Sequence, residues 1–538
     1  MLSLWLKRCW LLVLPVLGVS CSGSSARPPV FQQVLQGAVT DAAGIPLAGA
    51  FVTAQAPRQA ITVLTDDAGR YALSGLDAAT YQVQAKQRGF TPSAAAPYTH
   101  QFGQTGTMDF VLQQAEDRYS QAPSSQFLAL LPDGETKRRF ILDCTGCHQF
   151  DQRTVGFEGR LKSKDQWRQR IEQMLSFAGG SSGFPVMSPS RNAEETADWL
   201  IAHLGDEDDP LPTFAPLPAP TGAAAQVRIT EYPIPNPQDL PHDLLPDPVG
   251  NILITGMMTH QMYTLDPDDG TFSTTPIPTS VANPRALAIS ETGDWWVLLG
   301  FPRKIARYTP ATDTWRDFDI GMYPHSIVLG EGGKVWFNGH FTKNPEQIGY
   351  LDAHTGQVKT YDVPVDPMPD GGSTIPYGLR QGPDGTLWAT QLVGGRLIRF
   401  DPAAETFTLY ALPTPYSGPR RPAVGPDGTV WIPEYANNRL ARFDPASETF
   451  TEYELPVPNA LPYIVRVHPT TGWIWIATAA ADAVLRFDPQ TEHFVVHPLP
   501  TQSALVRHME IDERTGAVWV AYGNSPAVSP KLARIEVL

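Results

Sequence analysis

Cysteine is scarce in this chain, with four in 538 residues. Cys9 and Cys21 fall in a segment that reads as an export signal, so Cys144 and Cys147 stand alone in the folded part and a disulfide framework is excluded. There is no second cysteine pair and no closely spaced histidine pair, which leaves a structural zinc site without its remaining ligands. Charge is sparse too, at 18% of residues, and the net charge is −15. No clustered basic surface is visible to neutralise phosphates, so nucleic acid is excluded as a partner. The apolar run from Cys9 to Leu17, interrupted at Pro15, is too short to span a bilayer.

What the chain does have begins with Lys7 and Arg8 ahead of that run and small residues after it, the pattern of a signal peptide over residues 1–20. Leu17-Gly18-Val19-Ser20-Cys21 resembles a bacterial lipoprotein box, with Gly18 where a branched aliphatic residue is usual. Two destinations follow: a soluble periplasmic product, or an envelope protein whose Cys21 carries a lipid anchor. The 52 prolines and 44 glycines demand frequent tight connections, which favours short strands over long helices and a mainly β fold.

Cys144-Thr145-Gly146-Cys147-His148 is the attachment pattern of a c-type haem: two thiols to take the porphyrin vinyl groups, and an imidazole to ligate the iron. Half a zinc site and a thioredoxin-like pair are the alternatives. The first lacks ligands, and the second does not require the histidine and lacks a βαβ context. One covalent haem c, held by Cys144, Cys147 and His148, is therefore expected. Residues 118–205 change to helical periodicity, with amphipathic stretches at Lys164 to Phe177 and Ala193 to Leu204, and suit a small all-α class I cytochrome c domain. Two methionines stand as sixth ligand. Met187 sits in a loop before the last helix. Met174 ends a Trp167 to Met174 phrase that resembles haem domains associated with bacterial molybdenum and quinone-type dehydrogenases, and that resemblance makes His148 and Met174 the preferred iron pair. His203 is the nearest histidine that could replace either.

Residues 31–114 alternate short strands with Asp-Ala-Ala-Gly and Asp-Asp-Ala-Gly turns, as in a small β-sandwich. The run GAVTDAAGIPLAGAFV and its continuation resemble the carboxypeptidase regulatory-like domain, which implies a spacer or platform. A Pro/Ala linker over residues 206–225 is expected to separate independently folding parts. Beyond it, over residues 226–538, anchors recur at Leu265-Asp266, Tyr308-Thr309, Leu351-Asp352, Phe400-Asp401, Phe443-Asp444 and Phe487-Asp488, at intervals of 43, 43, 49, 43 and 44 residues. That period predicts a β-propeller. The last unit lacks an outer strand, and Val227 to Pro235 resembles one, so a ring of seven blades closed by the two ends is expected. Phrases such as GPDGTVWIPEYANNRLARFDP resemble the virginiamycin B lyase (streptogramin lyase) propellers.

Inner strands of such a ring begin at one mouth of the channel, which gathers His242, Arg285, His325, Tyr377, Arg421, Tyr463 and His508, with His340 and Glu434 at the ends of second strands. The lyase resemblance implies a histidine and glutamate working with magnesium in the channel. Here Asn338 stands at the glutamate position of His325's blade and Arg421 at the histidine position of Glu434's blade, so the pair is split, and His325, His340 and Glu434 are the catalytic candidates. Two functional readings stand beside a third, a non-catalytic envelope scaffold. In one, an exported c-type cytochrome transfers electrons while its propeller binds a small molecule or a redox partner protein. In the other, a lyase or hydrolase acts in the channel with haem as an accessory. Whether the chain is an enzyme, as oxidoreductase or lyase, is left open between them.

Overall fold

A computed structural model describes residues 34–182, 184–341, 346–365, 368–524 and 527–538. The expected signal peptide and lipoprotein box lie outside them. The fold is mainly β and propeller-like. Six sheets of four antiparallel strands follow one another: Pro241–Pro246 to Thr271–Pro276, Pro284–Ile289 to Thr314–Asp319, Pro324–Leu329 to Val358–Val363, Pro376–Gln381 to Thr406–Ala411, Ala423–Val424 to Thr449–Glu454, and Pro462–Val467 to His493–Pro498. Each Asp of the repeat ends a third strand, and its carboxylate turns the chain: Asp401, Asp444 and Asp488 accept the amide two residues on at 2.8, 2.9 and 2.9 Å. The aromatic residue before it packs across blades. Trp336, Trp388 and Trp431, on second strands, meet Phe400, Phe443 and Phe487 of the next blade at centroid distances of 5.8, 5.6 and 5.9 Å in edge-on contact.

The seventh blade is made from both ends of the module. Val506–Ile511, Val518–Asn524 and Val528–Val537 supply three strands, and Val227–Pro233 the outer one, with Val227 opposite Val537 and Pro233 opposite Lys531. Its outer edge is not free. Ala60–Leu64 of the N-terminal sandwich pairs with it, Thr230 opposite Ile61, so one eight-stranded sheet runs from the propeller into the sandwich through Phe51–Gln55, Thr80–Lys86 and Ala96–Thr99. The second sandwich sheet, built on Val34–Asp41, closes a separate small core around Leu35, Val39, Tyr71 and Leu112.

Between sandwich and propeller lies a helical cap: α1 (Ser124–Leu128), α2 (Glu135–Cys144), α3 (Gln152–Val155), α4 (Lys164–Ala178) and α5 (Ala193–Leu204). Ser163 and Gln166 form a capping box at the start of α4, and Asn192 caps α5. Phe140 meets Phe150 edge-on at 5.3 Å, and Phe150 stacks on Trp167 at 6.1 Å. These rings belong to one hydrophobic cluster that also takes in Phe51 and Leu64 of the sandwich and Tyr377, Tyr435, Tyr463 and Val506 of the propeller.

The expectation of independent parts on a linker is therefore corrected. Residues 206–225 are not a spacer in solvent: Phe214 packs against Phe127 at 4.8 Å, Gln126 donates to the Ala215 carbonyl, and Pro220 covers Gly49. Apolar faces of the cap pack on the other two modules as well as on one another, so the three share a core. No described helix is long and apolar enough to cross a membrane.

Candidate functional site

The site is best built outward from the channel axis. Asp243, 4% exposed, is the central anion. Arg421 pairs with both of its oxygens at 2.9 Å, His242 Nδ1 lies 2.6 Å away, and His508 Nε2 3.2 Å away. Glu510 plays the same part for Arg466 and Arg380. The cavity among these groups, about 30 Å³, holds at most one or two waters. Arg421 is placed by a break in its blade. Pro422 shortens the inner strand to Ala423–Val424, and the Pro422 ring lies where a side chain on Gly378 would have to go, so the neighbouring blade needs glycine there. The backbone of Arg421 bonds across to blade six, accepting from Val465 and donating to Tyr463, and its side chain reaches Asp243 while that of Arg420 reaches Tyr377.

Above the axis, His325 and His340 stack at a centroid distance of 4.2 Å, both buried. Each bonds a backbone carbonyl through Nδ1, His325 to Tyr377 at 2.8 Å and His340 to Pro376 at 2.9 Å. The proton therefore sits on Nδ1, and Nε2 is the basic atom. Burial first, and then neighbouring charges, His340 and Arg421 on His325 and Arg285 on His340, hold both well below the ordinary histidine range. They are neutral bases at pH 7. Arg420 donates to the Tyr377 hydroxyl at 2.5 Å and lies over the rings of Tyr435, Tyr463 and Tyr377 at 3.9, 4.3 and 4.8 Å. The Tyr377 and Tyr463 hydroxyls bond each other. Burial pushes the Tyr463 hydroxyl up, but Arg420, Arg507 and Arg421 together outweigh it and hold the phenol below its usual value.

Glu434 does not join the histidines. Its carboxyl turns back over its own blade, accepting from Asn437 at 2.6 Å beside Glu452 and Arg439, and burial pushes it up to about 8. The end-of-strand position put Glu434 near the mouth in sequence, while the turn at Ala436 to Asn438 captured its side chain. Nor do the donors fit magnesium. Among the described residues no three of His, Cys, Asp and Glu converge as a metal set, and the mouth offers imidazoles and guanidiniums where that ion wants oxygens.

The cap sets the cysteine motif directly on this mouth. Tyr435 donates to the Thr145 carbonyl, Arg507 to the Cys147 carbonyl at 2.5 Å, and Gln149 to the Ala479 carbonyl at 2.6 Å, while a side chain on Gly146 would meet Arg420. Cys144 is half-buried at the end of α2 and Cys147 exposed, both as free thiols. Burial pushes the Cys144 thiol up to about 12, the opposite of an activated redox pair. His148 Nδ1 lies 3.1 Å from the Gln149 carbonyl, which leaves Nε2 for another partner. Met187 is 3% exposed, and the next amide, that of Ser188, donates to Asp143 beside Cys144. Met174 is half-buried on α4. Asp370, in the connection that precedes Pro376–Gln381, braces the cap by accepting from Ser188 and Ser190. Phe184, from the same cap loop as Met187, packs on Phe341 at 4.6 Å and on Tyr323 at 6.4 Å. Arg420, Tyr435 and Arg507 went unread in the sequence. The doubled arginine of Pro419-Arg420-Arg421-Pro422 was their one local signal.

Residues 367–535 match the Virginiamycin B lyase family, and residues 34–113 match the Carboxypeptidase regulatory-like domain. Among solved structures, virginiamycin B lyase from Staphylococcus aureus is 23% identical with a TM-score of 0.51, over 58% of this chain and 100% of that one. A streptogramin B lyase is 22% identical with a TM-score of 0.53, over 59% of this chain and 100% of its own. A catalytically inactive histidine-to-alanine form of the Staphylococcus aureus enzyme, with quinupristin, gives 23% and 0.51 over 58% and 100%. No curated protein sequence matches the chain. At these identities the likeness establishes the fold: the chain carries a virginiamycin B lyase-like propeller and a carboxypeptidase regulatory-like domain.

Proposed function

We propose that the chain is an exported c-type haem protein in which the cofactor-bearing cap and the propeller mouth form a single site. The observation that carries this reading is the seating of Thr145, Gly146 and Cys147 on Tyr435, Arg420 and Arg507. A motif used only for tethering has no reason to be seated on the buried arginines and tyrosines of the propeller mouth. The residues present fit the group. Cys144 and Cys147 are free to form the two thioether bonds, and His148 has its Nδ1 engaged by a carbonyl and its Nε2 available, as an orienting second partner requires. Met187, buried in the loop before α5, and Met174, half-buried on α4, are the two methionines that would complete the iron's coordination. Bound haem supplies one-electron chemistry. The chain's own residues exclude water with Phe184, Tyr323 and Phe341, and hold basic Nε2 atoms on His325 and His340. The acidic surface suits a basic redox partner, and export brings the chain to the compartment where such haem is attached.

Expression in a host with c-type maturation should yield a protein that keeps haem through denaturing electrophoresis, and His148→Ala should lose the spectrum of the ligated iron. A protein carrying no covalent haem would overturn the reading.

The fold favours a second reading, in which the propeller carries lyase-type proton transfer and haem is accessory. The stacked His325 and His340 support it. Turnover that survives His148→Ala and vanishes in His325→Ala would select it. Because the cap is seated on the mouth, either reading calls for a small substrate.

A further inference from the structure

We infer that the channel mouth is a carboxylate site, in which Arg285, Arg420 and Arg507 hold a small organic acid against the stacked histidines. The inference rests on the mouth being the functional site and not on haem. Arginines deep in the channel are matched by carboxylates: Arg421 by Asp243, and Arg466 and Arg380 by Glu510. The three at the mouth are not. Arg285, Arg420 and Arg507 are 5%, 2% and 9% exposed, and among the described residues none has a carboxylate within ion-pairing distance.

Their partners are neutral. Arg285 lies 5.3 Å from the Tyr323 ring and 6.0 Å from the Phe184 ring, and its hydrogen-bond acceptor is the Met257 thioether at 2.7 Å. Arg420 has the Tyr377 hydroxyl and three ring faces, and Arg507 the carbonyls of Gly146 and Cys147. The Nε of each is buried without a partner, as is that of Arg421, but Arg421 has Asp243 on its other nitrogens and these three have no carboxylate. Ring faces and carbonyls offset only part of the desolvation of a guanidinium, and an unpaired buried charge is among the costliest features a protein can carry. A fold whose net charge is −15 has no shortage of carboxylates, yet it places none here. The missing anion is a ligand's.

His340 narrows the class. It stands in the field of both Arg285 and Arg420, and its free Nε2 is an acceptor. A ligand with a carboxylate on the arginines and a hydroxyl donating to Nε2 satisfies both, as a small hydroxy acid does. Haem propionates share the carboxylate chemistry, and the test has to separate the two sources.

The experiment titrates the full-length haem-loaded protein with lactate, and with lactamide as the uncharged control, by calorimetry and by melting temperature. Lactate should bind and raise the melting temperature while lactamide does neither. Arg420→Gln and Arg285→Gln should each weaken binding about tenfold or more, and Arg420→Lys less. If propionates occupy the arginines, lactate will bind only the haem-free Cys144→Ser/Cys147→Ser chain, and Arg420→Gln will shift the haem midpoint potential further than Arg420→Lys does; this too supports a carboxylate site. Lactate that binds neither form, together with an unmoved potential, overturns the inference. A chain that carries no haem but still binds lactate sinks the haem reading and leaves this one standing.

Discussion

The hydroxyl of Tyr435 donates to the carbonyl of Thr145 across 2.9 Å, with the Thr145 hydroxyl 3.0 Å from the same oxygen. This contact between residues 290 positions apart ties the rim of blade five to the loop of Cys144 to His148. Replacing Tyr435 with Phe leaves a buried carbonyl unpaired, at a cost of about 1–3 kcal/mol. Hydrogen exchange should quicken at the amides of residues 145–149 and stay unchanged in the strands of blades one to three. Equal protection in variant and wild type would mean that the cap is held by other contacts.

Glu434 sets an alkaline limit. Its carboxyl is neutral in the folded state up to about pH 8, whereas the unfolded chain releases the proton near 4.5. The folded state thus binds more protons between these values, and stability falls as pH rises through that window. Glu434→Gln keeps the shape and removes the titration. Its unfolding free energy, measured by chemical denaturation, should decline less than that of the wild type between pH 5 and pH 9, by an amount of the order of 1–3 kcal/mol.

His325 and His340 set the acid limit, with the opposite sign. Both stay neutral when folded, while the unfolded chain takes up protons below about 6.5. Stability therefore erodes as pH falls below that value. His340→Gln should flatten the decline between pH 7 and pH 5 in a thermal melt series. An unaltered acid limb would place the titrating groups elsewhere.

Removing residues 34–113 takes Ala60–Leu64 away from Val227–Pro233 and leaves that strand as an open edge. Open edges template pairing between chains. The shortened protein should elute as a dimer or larger species in light-scattering chromatography, and Thr230→Pro, which spoils the exposed edge, should reduce the association.

What the sequence revealed followed what repeats locally. The Asp-Pro phrase carries its own turn, so third strands could be located at Asp266, Asp401 or Asp488 without any knowledge of their partners, and the resemblance of Val227 to Pro235 to an outer strand pointed to the blade it completes. Long-range edges carry no such mark. Nothing in Ala60-Ile61-Thr62-Val63-Leu64 announces a partner some 170 residues away, and the result was a linker read as a divider. At the mouth, His325 and His340 were found from strand position alone. Glu434 was misplaced because strand position fixes a Cα and not the route of a long side chain with Asn437 three residues on. Arg420 and Arg507 were missed because their significance lies in the carboxylates they lack, and an absent neighbour in space leaves no trace in a string of letters.

The strand Val528–Val537 pairs with Val227–Pro233, roughly three hundred residues behind it. During synthesis the cap therefore leaves the ribosome well before the ring beneath it can shut. Thr145, Gly146 and Cys147 are without their seats on Tyr435 and Arg507 for most of that interval, and an enzyme working on the motif would find its backbone and the half-buried Cys144 freer then than in the closed ring. The order in which the chain is made gives the cysteine motif a period of freedom that the closed ring narrows.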